Sequence, residues 1–411
     1  MEFGLIGEHL GHSYSRELHE RIGGYPYKLR ELRPDELGVF LQKRDFRGVN
    51  VTIPYKQAVI PFLDEISDTA HEIGAVNTIV NRGGRLIGYN TDYAGLLALA
   101  RHSDISVSGK KALILGTGGA SKTAFAVMKV LGAREIQKVS RRKAPDTVTY
   151  AEAAEIHSDA DIIVNTTPVG MFPNADSSPI DLAAFPKLSG VLDAVYHPLR
   201  TELVLDARMR GIPAEGGLYM LCAQAVRAAE LFLGREFDPA LTESAFQALK
   251  SEKENLVLIG MPTCGKTTVG RLLARETGRP FADTDALLAM KIGSVPDYIR
   301  ANGEAAFRAL ERETVSEISR ESGYIIATGG GVILSPENLR ALRRNGRLIF
   351  LDRSLQNLRP SPNRPLSSTP EKLRALYETR YPLYRAAADL IVPANRSAEE
   401  VADDIRKELL G

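Results

Sequence analysis

The chain has little cysteine, no excess of either charge and no long apolar run. Its only cysteines, Cys222 and Cys264, fall in segments read below as different domains, and neither belongs to a ligand-spaced cluster. That excludes a disulfide framework and a cysteine-built metal site, and it points to a reducing compartment. With 52 basic and 51 acidic side chains the net charge is +1, too small for a general electrostatic pull on nucleic acid or an anionic membrane. No apolar stretch is long enough to span a bilayer, and no secretory leader pattern opens the sequence. The expected partners are small molecules, with no nucleic acid and no membrane, and the expected location is cytoplasmic. The sequence does not fix an oligomeric state.

What is present is an ordinary globular composition, 44% hydrophobic and 25% charged over 411 residues, enough for two or three full cores. Strand-like apolar runs alternate with helical patterns throughout, which predicts a parallel α/β architecture. The first segment, 1–108, carries the short strands "GLIG", "GVNVTIP" and "NTIV". The second, 109–245, places strands at "ALILG", "EIQKVS", "DIIVNTT" and "GVLDAVY" and ends in the helix "LYMLCAQAVRAAELFL", with 218–245 expected to return to the first domain. The polar run "ALKSEKEN" has no apolar period, so 246–254 reads as a linker. A fresh strand, "LVLIG", opens a third segment at 255–411.

Two glycine-rich turns carry the chemistry. In "ALILGTGGASK" an apolar strand runs into Gly116, Gly118, Gly119 and Ala120 and then a helix, the setting in which backbone approaches a pyrophosphate and a helix N-terminus faces it. An NAD site would place an acidic residue at the end of the next strand. Here Ser140, Arg141 and Arg142 offer donors and positive charge for a 2′-phosphate, so NADP(H) is the expected cofactor. In "GMPTCGKTT" the residues Gly260, Pro262, Thr263, Cys264, Gly265, Lys266, Thr267 and Thr268 match the phosphate loop G-x-x-x-x-G-K-[ST]. Lys266 is expected to reach the β- and γ-phosphates of ATP and Thr267 to hold Mg²⁺. Hydride transfer and phosphoryl transfer do not substitute for one another, so the chain reads as a bifunctional enzyme.

The polar residues around these turns read as two pockets. Ser13 and Ser15 in "HSYS", two apart, would point the same way in an extended stretch. Thr52 and Lys56 follow the strand in "NVTIPYK", and Asn77, Asn90 and Asp92 lie in "AVNTI" and "GYNTD". Together they suit a polyhydroxylated small acid. Beyond the phosphate loop, "FADTD" puts Asp283 and Asp285 at a strand end, pointing the same way towards the phosphates. Arg308, Arg364 and Arg380 sit in distinctive contexts that suit an anionic acceptor.

The series "HSYS", "NVTIPYK", "AVNTI", "GYNTD", "ILGTGGASK", "NTTPVGM", "DAVYHPLRT" and "LYMLCAQA" resembles that of shikimate dehydrogenases over nearly everything before 246. The resemblance implies that Ser13, Ser15, Thr52, Asn77, Asn90, Asp92 and Gln224 hold the substrate and that Lys56 and Asp92 are the catalytic pair. Tyr196 matches a family tyrosine near the substrate, and a core role would suit it as well. The series "GMPTCGKTT", "DTD", "GEAAFRALE", "GGGV", "RPL" and "RYPLYRAAA" resembles shikimate kinases. That resemblance implies shikimate contacts from Asp285, Arg308, Gly330, Gly331 and Arg380, Mg²⁺ held by Asp283, and Arg364 in a lid over the phosphates, with Asp285, Lys266 and Arg364 catalytic. The chain departs from both patterns. Arg16 replaces a proline, Gly7-Glu8-His9 replaces Gly-x-Pro, Ser140-Arg141-Arg142 replaces Asn-Arg-Thr, Thr263 replaces a glycine, and "LRPSPNRPLSS" is a proline-rich lid.

The implied architecture is α/β throughout: an α/β substrate domain plus a Rossmann NADP-binding domain, then a P-loop kinase domain of the nucleoside-monophosphate kinase type. The implied activity is reduction of 3-dehydroshikimate to shikimate followed by phosphorylation of shikimate. Two rivals stand beside it: a quinate dehydrogenase using NAD in the first half, and a nucleotide-sensing module without turnover in the second.

Overall fold

In the computed structural model, which describes residues 1–11, 13–360 and 367–410, the chain divides into two compact units, Met1–Leu249 and Lys250–Gly411. The first unit contains two sheets. One is formed by β1 (Phe3–Gly7), β2 (Tyr27–Glu31), β3 (Gly48–Val51), β4 (Glu65–Ile66), β5 (Thr78–Arg82) and β6 (Arg85–Tyr89), in the order β2-β1-β3-β5-β6-β4. The expected all-parallel arrangement does not hold here, because β5 runs antiparallel to both β3 and β6. The cause is local. Gly83 and Gly84 adopt φ of 60° and 90°, which closes a two-residue hairpin that a side chain at either position would strain.

The second sheet comprises β7 (Lys111–Leu115), β8 (Glu135–Ser140), β9 (Thr147–Thr149), β10 (Ile162–Asn165), β11 (Gly190–Asp193) and β12 (Ala214–Glu215). Its order, β12-β11-β10-β7-β8-β9, with every pairing parallel, is that of the doubly wound dinucleotide fold. The chain reverses direction of winding between β7 and β10, which opens a crevice at their carboxyl ends. The central strands are buried along their whole length, as a sheet covered on both faces requires.

The helix Leu218–Leu233 leaves the second sheet and packs against the first. Leu221, Cys222, Ala225, Ala229 and Phe232 share a core with Phe3, Leu18 and Tyr27. The helix Thr91–His102 approaches it closely at Gly95, where a Cβ would come within 2.6 Å of the Met220 carbonyl.

The stretch read as a linker, 246–254, is helical for most of its length. Residues 240–253 form a helix, Ala240–Lys253, and the division between the units falls inside it. Its apolar period is sparse but real: Ala245, Phe246 and Leu249 are spaced to lie on one face, and they are buried in the first unit's core. Among the described residues no helix is long and apolar enough to cross a membrane.

The second unit has one parallel sheet of β13 (Asn255–Ile259), β14 (Phe281–Asp283), β15 (Ile325–Ala327), β16 (Gly346–Asp352) and β17 (Leu390–Pro393), in the order β14-β15-β13-β16-β17. The helix Lys266–Thr277 follows the central strand β13 and contributes Val269 and Leu273 to the core beneath the sheet. All five strands end on the edge where the phosphate loop begins.

Candidate active sites

In the first unit, Lys56 and Asp92 meet although they are 36 residues apart: Lys56 Nζ donates to Asp92 Oδ2 at 2.5 Å. Asp92 is almost fully buried in the first turn of the helix Thr91–His102, where the helix dipole favours a carboxylate. Asn90 caps that helix, its Oδ1 accepting from the Tyr93 N–H at 3.1 Å, while its amide donates to the Ala75 carbonyl and to Thr123 Oγ1. Its polar atoms are thus engaged by the fold, which sets Asn90 at the start of the helix that carries Asp92.

Beside this pair lies a buried polar cluster. Asn77 donates to Thr91 Oγ1 at 3.1 Å and to Gln224 Oε1 at 3.2 Å, and accepts from the Thr91 N–H at 2.6 Å. Ser13 and Ser15 do not sit in an extended stretch. Ser15 begins the helix Ser15–Gly23, and its N–H donates to Ser13 Oγ at 3.3 Å. Ser13 is in turn hydrogen-bonded to the hydroxyl of Tyr196, whose acidity burial weakens. Thr52 lies against Gly7, where a Cβ would come within 2.6 Å of its methyl, so the first strand can carry only glycine beside the pocket wall.

The dinucleotide turn borders Lys56. Gly116 has φ of 109°, Gly118 precedes the helix Gly119–Val130 in extended geometry, and Gly119 faces the Lys56 stem, whose Cδ would lie 3.6 Å from an added Cβ. Around Gly118 nothing lies within 4 Å of an added Cβ, leaving the helix N-terminus, with Ala120 in its first turn, open to an anion. At the end of β8, Ser140 Oγ donates to the Arg142 carbonyl, and the Arg141 and Arg142 side chains are exposed. The residues present therefore fit a dinucleotide bearing an extra phosphate. Cys222 lies in the core of the first unit, and burial pushes its thiol up to about 12.

In the second unit the phosphate loop follows β13 directly. Gly260 and Gly265 take φ of 149° and 104°, and Lys266 Nζ donates to the carbonyls of Gly260 and Met261 at 2.8 and 3.0 Å. Pro262 and Cys264 are buried beneath the loop, while Thr268 is exposed. Thr267 donates to Asp283 Oδ2 at 2.7 Å, an all-oxygen pair suited to a hydrated Mg²⁺ shared with phosphates. Asp283 and Asp285 do not share a strand face. Asp283 ends β14 and caps the helix Thr284–Ile292, accepting from the Asp285 and Ala286 N–H groups, so Asp285 projects from the helix's first turn.

The acceptor side is organised by the glycines after β15. A Cβ on Gly329 would stand 2.3 Å from Asp285 Oδ1, and one on Gly331 would stand 2.7 Å from an Arg308 nitrogen. The Gly330 carbonyl accepts from Arg380 at 2.7 Å and from Tyr384 at 2.8 Å. Arg308 is aimed by Glu311 at 3.0 Å. Arg364 lies outside the described residues.

Comparisons with known proteins separate along the same division. Residues 5–79 match the family model described as the shikimate dehydrogenase substrate binding domain, and 262–410 match that of shikimate kinase. Shikimate dehydrogenase (NADP(+)) of Clostridium beijerinckii is 36% identical over 271 residues, covering 61% of this chain and 99% of the relative. The chain belongs to the shikimate dehydrogenase family. It carries a shikimate kinase domain in addition. Among solved structures, shikimate dehydrogenase 1 from Peptoclostridium difficile is 36% identical with a TM-score of 0.57, covering 61% of this chain and 98% of that one. A quinate dehydrogenase from Corynebacterium glutamicum in complex with NAD is 29% identical with a TM-score of 0.53, covering 60% and 99%.

Several residues of the dehydrogenase and kinase pockets escape a reading of the sequence. Thr91 hides between Asn90 and Asp92 as an ordinary first helical residue, yet its backbone and hydroxyl both engage Asn77. Glu311 is signalled only by its i, i+3 spacing from Arg308, and Tyr384 by its i, i+4 spacing from Arg380. Thr284 receives the Gly329 N–H at 2.8 Å, a contact across 45 residues that no local pattern marks.

Proposed function

We propose that the chain carries out two consecutive steps on one cyclic acid, with residues 1–108 and the returning helices binding substrate, 109–245 binding NADP(H), and 255–411 acting as the kinase. The first unit reduces 3-dehydroshikimate to shikimate with NADPH, and the second phosphorylates shikimate to shikimate 3-phosphate with ATP and Mg²⁺. The observation that carries the first step is the Lys56–Asp92 pair at 2.5 Å, set against Gly119 of the dinucleotide turn.

The reduced nicotinamide supplies the hydride. Lys56, positioned by its contact with Asp92, gives a proton to the ketone oxygen as its carbon is reduced; a positioned acid of this kind contributes about 10²–10⁴ in rate. Asn77, Thr91 and Gln224 fix hydroxyls near the reacting end, with Thr52 on the pocket wall. Ser13, Ser15 and Tyr196 offer hydroxyl donors suited to the carboxylate. Arg141, Arg142 and Ser140 receive the 2′-phosphate, a preference for NADP that accords with the C. beijerinckii relative.

In the kinase unit, Asp285 accepts the hydrogen bond of the attacking 3-hydroxyl while Arg308 and Arg380 hold the acid and Gly330 and Gly331 admit its ring. Lys266 and Arg364 stabilise charge on the transferring group. Thr267 and Asp283 would hold Mg²⁺, which neutralises charge on the phosphates. A cytoplasmic location suits an enzyme that draws on NADPH and ATP.

The test supplies 3-dehydroshikimate, NADPH, ATP and Mg²⁺ and follows NADPH loss and ADP release separately. Lys56→Ala is expected to lower reduction by at least about 10² while added shikimate is still phosphorylated, and Lys266→Ala to do the reverse. Loss of both activities in either folded variant contradicts separate sites, and ADP release indifferent to shikimate favours the nucleotide-sensing reading. The similar quinate dehydrogenase keeps one rival for the first unit: equal turnover of quinate with NAD would replace the reading above.

A further inference from the structure

We propose that Tyr14 and His197 form a clasp across the dehydrogenase pocket that positions its three hydroxyl donors and so sets affinity for the substrate's acid group. The inference rests on the reading above that Ser13, Ser15 and Tyr196 receive that group.

Tyr14 lies between the two serines, at the residue preceding the helix Ser15–Gly23. That position usually holds a short polar side chain that caps the helix, but Tyr14 makes no such bond. Its hydroxyl is instead hydrogen-bonded to Nδ1 of His197, 183 residues away, at 2.8 Å. The Tyr14 ring is buried and packs at 5.4 Å from the ring of Tyr196, while Phe172 meets the His197 ring edge-on at 4.8 Å. His197 therefore has little freedom to turn away.

The far side of the clasp is equally well rooted. Asp193, at the end of β11, accepts from the Val195 N–H at 3.0 Å and from Thr201 Oγ1 at 2.6 Å, which anchors both ends of the loop carrying Tyr196 and His197. One loop comes from the first sheet and the other from the second. The Tyr14–His197 bond joins them at their tips, next to the Ser13–Tyr196 contact. The donors are thereby held ready for an anion before it arrives, which removes an ordering cost from binding and leaves the proton transfer at Lys56 untouched.

The experiment is steady-state kinetics of the full chain carrying Tyr14→Phe, His197→Ala, His197→Asn, the double change Tyr14→Phe/His197→Ala, and Ser15→Ala. Tyr14→Phe keeps the ring and removes only the hydroxyl. It should raise KM for 3-dehydroshikimate about 5–10-fold, the loss of one net hydrogen bond, with kcat, KM for NADPH and kinase turnover within twofold. His197→Ala should match it, and the double variant should be no worse than either single one. His197→Asn, whose side-chain amide can accept from or donate to the Tyr14 hydroxyl in place of Nδ1, should recover most of the affinity.

If Tyr14→Phe leaves KM unchanged while Ser15→Ala raises it, the clasp is wrong and the placement of the substrate stands. If Ser15→Ala also leaves KM unchanged, the placement itself fails and the clasp with it. A fall in kcat, an equal rise in KM for NADPH, or additive effects in the double variant would assign the pair a general structural role and overturn the proposal.

Discussion

Thr263 is where the chain departs most plainly from a phosphate loop's usual glycine, and its backbone registers the departure. It adopts φ of 64°, a conformation in which a β-branched side chain is strained by about 1–2 kcal/mol. Its hydroxyl offsets part of that by accepting from the Arg359 N–H at 3.3 Å and lying 2.6 Å from the Pro262 carbonyl and 3.0 Å from that of Arg359, but the Arg359 bonds are exposed and compete with water. Strain should therefore win. Thr263→Gly is expected to raise the melting temperature of the second unit by about 2–4 °C and leave the first unit unchanged, as scanning calorimetry can resolve. A lower melting temperature would mean that the Arg359 contact outweighs the strain. Here the sequence showed that something unusual stands in the loop, but one partner of its hydroxyl lies 96 residues away and no spacing rule points to it.

At the level of elements, strand ends do the positioning. β10 and β11 finish in Asn165 and Asp193, which bond to each other at 2.9 Å and root the loops that follow. Burial raises the Asp193 carboxyl to about 6, against the opposing pull of its bonds to Thr201, Val195 and Asn165. Because the folded value lies above the ordinary one of 3.8, the folded state binds the extra proton between those limits. Stability from this group is present at pH 4 and is lost as pH rises through 6, by roughly 3 kcal/mol at most. Asp193→Asn cannot ionise. The wild-type stability relative to this variant should fall between pH 4 and 6 and stay level above 6, measured by hydrogen exchange across β10 and β11 in urea. A flat difference would show that Asp193 ionises as freely as an exposed carboxyl. The glycines after β15 illustrate the same logic in the second unit: their lack of side chains is what lets Asp285 and Arg308 converge. That three glycines follow a strand is legible in the sequence; which side chains fill the space they leave is not.

For the whole molecule, the join between the units is a helix whose apolar residues are already used by the first core. Residues just beyond them serve the second unit: Arg279 donates to the Glu254 carbonyl at 2.9 Å, and the Gly323 N–H to that of Lys253 at 2.9 Å. Such a join ties the two units covalently and fixes them in equal amounts, and we propose that the intermediate passes from one to the other through solution. Unlabelled shikimate added in bulk should accordingly dilute label passing from 3-dehydroshikimate to shikimate 3-phosphate. Persistent exclusion of the added pool would show that the intermediate is handed over without mixing.

The sequence by itself determined the two phosphate-binding turns, the strands that lead into them and the order of two chemistries, because glycine spacing and runs of buried apolar residues act over a few residues and survive any packing. It did not determine β5's direction, the helical join, the capping roles of Asn90 and Asp283, or the partners Thr91, Glu311, Tyr384 and His197. Those depend on which strand ends and helix faces the cores bring side by side. Contacts such as Asn77 with Gln224 across 147 residues exist only once the returning helix has packed, since hydrogen bonds join whichever donors and acceptors burial leaves together.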